Sequence, residues 1–293
     1  MVIVIAGPTC VGKTKLSISL AKRYNGEVIN SDSTQVYRGL DIATAKVDSS
    51  EMDGVVHHLL DIKNIDEDYT VFDFQRDCRR SIDDILSRGK TPILVGGTGL
   101  YIKAALYDYR FDLDVVNFDY SAFSNQELYD RLISIDPKCD VHVNNRKRVE
   151  RALSYYDSTG MLFSDKKKTD KLLYDTVFIG LTTSRDVLYD RINKRVDVMI
   201  NNGLLLEAKR IFDSGVRSRA VMTPIGYKEL FPYFSLDKSL DECVDLIKKN
   251  SRHYAKRQYT WFNNQMSINW FFVDFDNFDN TIDEVYNFIE NSK

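Results

Sequence analysis

Gly7-Pro8-Thr9-Cys10-Val11-Gly12-Lys13-Thr14 stands between Val2-Ile3-Val4-Ile5-Ala6 and Lys15-Leu16-Ser17-Ile18-Ser19-Leu20-Ala21-Lys22-Arg23-Tyr24. The apolar run before it predicts a buried strand, and the stretch after it predicts a helix. G-x-x-x-x-G-K-[ST] in that setting is a phosphate-binding loop. Each part has a physical task. The glycines let the backbone fold into a nest of N–H groups aimed at an anion. Lys13 adds a mobile cation, and the Thr14 hydroxyl can ligate Mg²⁺. The stretch predicts an α/β core that binds a diphosphate or a triphosphate, without saying which.

The next strand ends point the same way. Glu27-Val28-Ile29-Asn30 predicts a second strand, running into Ser31-Asp32-Ser33-Thr34-Gln35. Pro92-Ile93-Leu94-Val95 predicts a third, running into Gly96-Gly97-Thr98-Gly99. Open parallel sheets bind ligands beyond the carboxyl ends of their strands. Asp32 and the Thr98 hydroxyl therefore face the same crevice as the phosphate loop. The milder readings are that Asp32 caps a helix or holds a magnesium-bound water, and that Thr98 makes a local turn bond. The adjacent His57 and His58 point to opposite faces of a strand, which argues for scaffold hydrogen bonds rather than a shared metal.

Composition limits the function classes. The chain has 293 residues and a net charge of −3, which excludes a uniformly basic nucleic-acid binder but not a local basic face. Its cysteines, Cys10, Cys78, Cys139 and Cys243, form no C-x-x-C pair, so free thiols in a reducing compartment are expected rather than a disulfide framework or a zinc knuckle. The chain starts on a core strand and contains no apolar run of membrane-spanning length, and the expectation is a cytoplasmic protein.

Two stretches carry local basic charge. Residues 144–156 predict a helix bearing Arg146, Lys147, Arg148 and Arg151, and Lys166, Lys167 and Lys168 follow in a basic loop. That face is either solvated or set against a phosphate backbone. Composition shifts after Leu106, and residues 109–171 read as an inserted helical subdomain in a core of residues 1–108 and 172–293. Residues 185–201 predict a helix carrying Arg191 and Arg195, each of which can reach the ligand or pair with Asp190 or Asp197. Residues 239–262 predict a long helix in which Tyr254, Tyr259, Trp261 and Phe262 interleave with Arg252, Lys256 and Arg257. The aromatics suit stacked RNA bases or a buried core equally, whereas Lys256 and Arg257 favour an RNA contact.

Taken together, GPTCVGKT, NSDSTQVYRGLDIATAK, HHLLDI, PILVGGTGLYIKA, RINKRVD, IGYKEL and YAKRQYTWF resemble the bacterial tRNA dimethylallyltransferase family, in family order from Gly7 to Phe262. The resemblance implies a parallel sheet flanked by helices, like that of nucleoside-monophosphate kinases, with a helical insertion that grips the anticodon stem-loop of tRNA. It implies that Gly7 to Thr14 hold the diphosphate of dimethylallyl diphosphate, with Lys13 on the diphosphate and Thr14 on Mg²⁺. Asp32 corresponds to a general base, Thr98 to the group that positions the attacking amine, and Arg195 to an arginine on the diphosphate. Ser33, Thr34 and Gln35 fall where the family meets the flipped adenosine or its neighbours. Lys147, Arg148, Val149, Glu150 and Arg151, with Lys256 and Arg257, fall on tRNA-contacting segments.

The implied enzyme is a monomer that alkylates N6 of the adenosine 3′ of the anticodon. Asn145-Arg146-Lys147-Arg148 departs from the family's usual Asp-Pro-Gln-Arg, and Val47 replaces a proline; the first departure bears on the tRNA grip. The alternatives are an adenylate isopentenyltransferase acting on a free nucleotide, a small-molecule kinase using ATP on the same loop, and an RNA-binding protein without catalysis.

Overall fold

The computed structural model describes residues 1–111, 115–116, 118–165 and 171–292. In chain order its elements are β1 (Val2–Ala6), α1 (Lys13–Arg23), β2 (Gly26–Asn30), β3 (His57–His58), α2 (Val71–Ser87), β4 (Thr91–Gly96), α3 (Gly99–Leu106), α4 (Asn125–Ile135), α5 (Arg146–Thr159), β5 (Thr176–Thr182), α6 (Arg185–Asn201), α7 (Leu204–Asp213), α8 (Arg219–Met222), α9 (Tyr227–Phe234), α10 (Leu240–Gln265), β6 (Asn269–Phe272) and α11 (Phe278–Asn291). Two compact units result: Met1–Tyr107 with Leu172–Lys293, and Asp108–Lys171. The basic run Lys166, Lys167 and Lys168 lies outside the described residues.

The larger unit is built on a sheet of order β3-β2-β4-β1-β5-β6, with every pair parallel. β1 lies inside it and is buried along its whole length. That is why its five residues are all apolar instead of alternating. Val2, Val4 and Ala6 join one apolar cluster, with Phe74, Ile82 and Ile85 of α2. Ile3 and Ile5 join the other, with Leu16 and Leu20 of α1 and Val285 and Ile289 of α11. Helices therefore cover both faces, and the ligand-facing edge is left to the loops after the strands.

Helix boundaries follow capping chemistry. Thr70, Ser124 and Ser239 each accept from the N–H three residues on, while Asp73, Glu127 and Glu242 reach back to the cap, satisfying donors that a helix start leaves open. Two elements escaped the sequence reading. α3 hides behind the glycines of Gly96-Gly97-Thr98-Gly99, and α8 is a single turn.

The histidines serve the scaffold. His57 Nδ1 lies 2.9 Å from Val55 O, and His58 Nε2 lies 2.7 Å from Glu27 Oε2. The four cysteines are free thiols. No described helix is long and apolar enough to cross a membrane.

The smaller unit has its own core of Tyr120, Leu128, Leu132, Val149, Ala152 and Leu153. Arg146 does not belong to an open basic face. It donates to the carbonyls of Tyr120 and Phe123, to Asn125 Oδ1 and to Glu150, and so pins the segment before α4 onto α5.

Candidate active site

Register brings the strand ends together. Ala6 of β1 sits beside Gly96 of β4 and Gly180 of β5, and Asn30 of β2 beside Val95 of β4. Past those pairs the ladders stop, and the chain enters the phosphate loop, the turn at Asp32 and the turn at Thr98. The three turns meet because the strands end level.

The phosphate loop uses left-handed backbone at three positions: Gly7 (φ 137°), Cys10 (φ 68°) and Gly12 (φ 90°). A Cβ on Gly7 would lie 2.6 Å from Leu181 O, and one on Gly12 would lie 2.5 Å from the Phe278 ring, so neither tolerates a side chain. Pro8 and Val11 are buried beneath the loop, whereas Thr9, Cys10 and Lys13 are half-buried and Thr14 is exposed. Lys13 Nζ folds back onto the loop, donating to Pro8 O at 2.6 Å and Gly7 O at 3.1 Å. Burial and the nearby Arg195 guanidinium push the Lys13 ammonium down to about 8, opposed by Cys10 and Asp32.

α6 supplies two arginines to the same loop. Arg195 Nη1 donates to Thr9 Oγ1 at 2.7 Å, and Arg191 Nε donates to Cys10 O at 3.0 Å while its guanidinium stacks 3.8 Å over the Phe275 ring. The surface pairing open to them in sequence is not made: Asp190 pairs with Lys194 and Asp197 with Lys248. Positive charge therefore gathers at the loop, and among the described residues no carboxylate is paired with Lys13, Arg191 or Arg195.

Asp32 does not cap a helix. Its Oδ1 accepts from Thr34 N at 2.9 Å and Thr34 Oγ1 at 2.6 Å, and Oδ2 takes no hydrogen bond among the described residues. Thr98 Oγ1 accepts from Ser33 N at 3.4 Å, which ties the Asp32 turn to the β4 turn. Gln35 spends its amide N–H groups on Thr44 O and Ala45 O, inside its own loop. That loop is anchored from α7. The buried Glu207 carboxylate accepts from the N–H groups of Asp41, Ile42 and Ala43 and from the Tyr227 hydroxyl. Burial and that carboxylate raise the Tyr227 phenol, which stays a donor.

The donor set also bears on Mg²⁺. Among the described residues no cluster of three or more His, Cys, Asp or Glu side chains could cage a metal. The exposed Thr14 hydroxyl is an oxygen donor of the kind that would suit Mg²⁺.

On α10, Lys256 and Arg257 are exposed, as an RNA contact requires. Tyr259, Trp261 and Phe262 are scaffold. Phe262 is fully buried, and the Tyr259 hydroxyl shares a 2.7 Å hydrogen bond with Thr182 Oγ1. Trp261 packs so closely on Gly99 that a Cβ there would lie 2.0 Å from its ring. On α5, Lys147, Arg148 and Arg151 are exposed, Glu150 is bound to Arg146, and Val149 is core, so the side chain of Val149 is unavailable to a ligand.

A sequence model of the family described as IPP transferase matches residues 35–265. The chain belongs to the IPP transferase family. It is 48% identical to the tRNA dimethylallyltransferase of Anoxybacillus flavithermus across 99% of this chain and 96% of that one. The solved full-length tRNA isopentenylpyrophosphate transferase from Bacillus halodurans is 47% identical, over 99% of this chain and 95% of that one, with a TM-score of 0.77. A solved eukaryotic dimethylallyltransferase acting on tRNA is 33% identical, over 99% of this chain and 79% of that one, with a TM-score of 0.84.

Within this IPP transferase family member, two side chains at or behind the crevice carry no reading from sequence: Glu207 and Gln258. Arg191, one helical turn before Arg195 on the same face, reads from sequence as able to reach the ligand, and it does reach the loop. Gln258 follows directly on the basic pair Lys256-Arg257, and nothing local marks it as buried.

Proposed function

We propose that this protein transfers the dimethylallyl group from dimethylallyl diphosphate to N6 of the adenosine 3′ of the anticodon in tRNA, releasing diphosphate. The observation that carries this reading is the convergence of the phosphate loop, Asp32 and Thr98 at level strand ends in a chain of the IPP transferase family. The names of its relatives speak of a dimethylallyl group and of tRNA.

An adenine amine is a weak nucleophile because its lone pair is delocalised into the ring. The allylic carbon tolerates positive charge as its bond to oxygen breaks, so the main task is to stabilise the departing diphosphate. Loop N–H groups, Lys13 and Arg195 supply positive charge there, the kind of preorganised term that dominates many enzymes. In the free protein Lys13 rests on Gly7 O and Pro8 O; a diphosphate would replace those carbonyls as its partner. Thr14 would hold Mg²⁺, which would supply further positive charge for the departing diphosphate. The open Oδ2 of Asp32 accepts the amine proton, and Thr98 holds the amine toward the allylic carbon. General-base help of this kind is worth about 10²–10⁴-fold. The target base must leave the loop stack, at a cost of a few kcal/mol. Exposed Lys147, Arg148 and Arg151 of α5 and Lys256 and Arg257 of α10 bind the phosphates of the anticodon stem-loop. The enzyme acts as a cytoplasmic monomer.

The test uses purified protein, Mg²⁺, radiolabelled dimethylallyl diphosphate and an anticodon stem-loop with adenosine 3′ of the anticodon, with AMP and ATP as parallel acceptors. Label in the stem-loop alone is expected. Label in AMP or ATP would move the protein to free nucleotides, and ATP hydrolysis without label anywhere would overturn the reading.

A further inference from the structure

Gln258 is 5% exposed and faces the crevice from α10. Both ends of its amide are used. Oε1 accepts from Thr9 N at 3.1 Å, and Nε2 donates to Gly97 O at 3.1 Å. Thr9 belongs to the phosphate loop, and Gly97 precedes Thr98 in the turn after β4. An N–H can only donate and a carbonyl can only accept, so these partners fix the orientation of the amide. The fit leaves no slack: a Cβ on Gly97 would lie 1.9 Å from Gln258 Nε2. One turn earlier on the same helix is Tyr254, whose phenol is pushed up by burial. Three positions after Gln258, Trp261 packs on Gly99.

We propose that Gln258 is a positioning residue that sets the separation and orientation of the diphosphate cradle relative to the turn that presents Thr98. The proposal deepens the activity given above and rests on it. β1 and β4 are held in register as far as Ala6 and Gly96, and beyond that pair no ladder links the two chains. Two backbone groups of opposite polarity then face a gap, and both need partners. A neutral carboxamide is the side chain that can accept from one and donate to the other. A carboxylate has no proton for Gly97 O, and an alkyl chain satisfies neither group. The donor carbon is carried by the cradle and the amine by the Thr98 turn. A misplacement of about 1 Å between reacting groups can cost about 10²-fold in rate.

The test compares wild type, Gln258→Leu and Gln258→Glu in single-turnover label transfer at saturating donor and stem-loop, across pH 6 to 8. Stem-loop Kd and thermal midpoint are measured on the same samples. Gln258→Leu should lower the rate about 10²-fold while stem-loop Kd stays within about twofold, because the Lys and Arg contacts to phosphate are untouched.

Gln258→Glu separates positioning from loss of packing. A protonated carboxyl is close in shape to the carboxamide and again offers one acceptor and one donor. Burial against a carbonyl raises the pKa of such a carboxyl. The rate of Gln258→Glu relative to wild type should therefore rise as pH falls, while the same ratio for Gln258→Leu stays flat.

A Gln258→Leu rate within about threefold of wild type would overturn the proposal, and so would a Gln258→Glu ratio that does not change with pH. If Gln258→Leu fails to fold, the Gln258→Glu profile decides alone. Active wild type with insensitive variants overturns this proposal only. Wild type that transfers no label to the stem-loop overturns the activity and the proposal together.

Discussion

Glu27 and Asp32 are five positions apart, one near the start of β2 and one just past its end, and they are opposite solutions to placing a carboxylate. Glu27 is 3% exposed and fully partnered. Arg88 donates to it twice, at 2.5 and 2.8 Å, Lys90 donates at 2.7 Å, and His58 Nε2 lies 2.7 Å away. Asp32 has one oxygen tied to Thr34, and the other takes no hydrogen bond among the described residues. The cations differ in the same sense. Arg88 is held above its ordinary range by the hydrogen bonds it donates to Glu27 and Asp84, whereas Lys13 is pushed down by burial and by Arg195. One edge of the sheet closes its charges on each other and so stabilises the fold. The other leaves charge uncompensated, which is what a ligand-binding edge requires.

The sharpest way to break this comparison is Asp32→Asn. The amide oxygen still accepts from Thr34 but cannot take a proton. Single-turnover transfer should fall about 10²–10⁴-fold with little change in thermal midpoint. A rate within a few-fold of wild type would remove Asp32 as the base.

Glu27→Gln should do the reverse. It leaves Arg88, Lys90 and His58 without their anion, at a cost of about 2–3 kcal/mol. That is below the usual loss for a broken buried pair, because the cations are about one-third exposed. The thermal midpoint should drop by about 5–10 °C, with transfer at 25 °C nearly unchanged. The pH sign follows from the carboxyl being held well below its ordinary range, first by the Arg88 hydrogen bonds and then by Lys90 and His58. The unfolded chain binds the extra proton in acid, so this stabilisation is complete above about pH 4.3 and is lost as pH falls below it. The gap in midpoint between wild type and Glu27→Gln should narrow below that pH. A gap independent of pH would mean that packing, not charge, makes the difference.

Lys13 allows a test at the open edge. In the free protein its ammonium titrates near 8, and a bound diphosphate would raise that value. The complex then holds more protons than the free protein above pH 8. Diphosphate affinity should be flat below pH 8 and fall above it, approaching tenfold per unit. Calorimetric titration that shows no proton uptake at pH 9 would contradict this.

The smallest expected effect is that of Thr34→Val, which removes the hydroxyl bond to Asp32 Oδ1 and keeps the N–H bond. Stability should fall by about 1 kcal/mol and transfer by severalfold. A stability loss with no change in transfer would show that Asp32 needs only its open oxygen.

Much of the site was legible because it is written in contiguous stretches. Gly7 to Thr14, Asp32 and Thr98 each follow a short apolar run, and a short apolar run between turn residues reads as a buried strand. α6 spans Arg185–Asn201, the bounds read from the sequence. The direction of polar side chains on helices was not legible. Arg191 and Arg195 could turn to nearby aspartates or to the loop, Arg146 reads as part of a basic face until its carbonyl partners are seen, and the α10 aromatics suit bases and core alike.

The sequence by itself determined the sheet, the phosphate loop and the acidic and hydroxylic groups at its edge, because each depends on residues within one strand and the turn after it. Only the tertiary structure decided what holds them in mutual position. Gln258 meets Thr9 across 249 residues and Arg195 meets Thr9 across 186. No local period specifies which distant backbone group a side chain will satisfy; that follows only once the packed helices bring the two together.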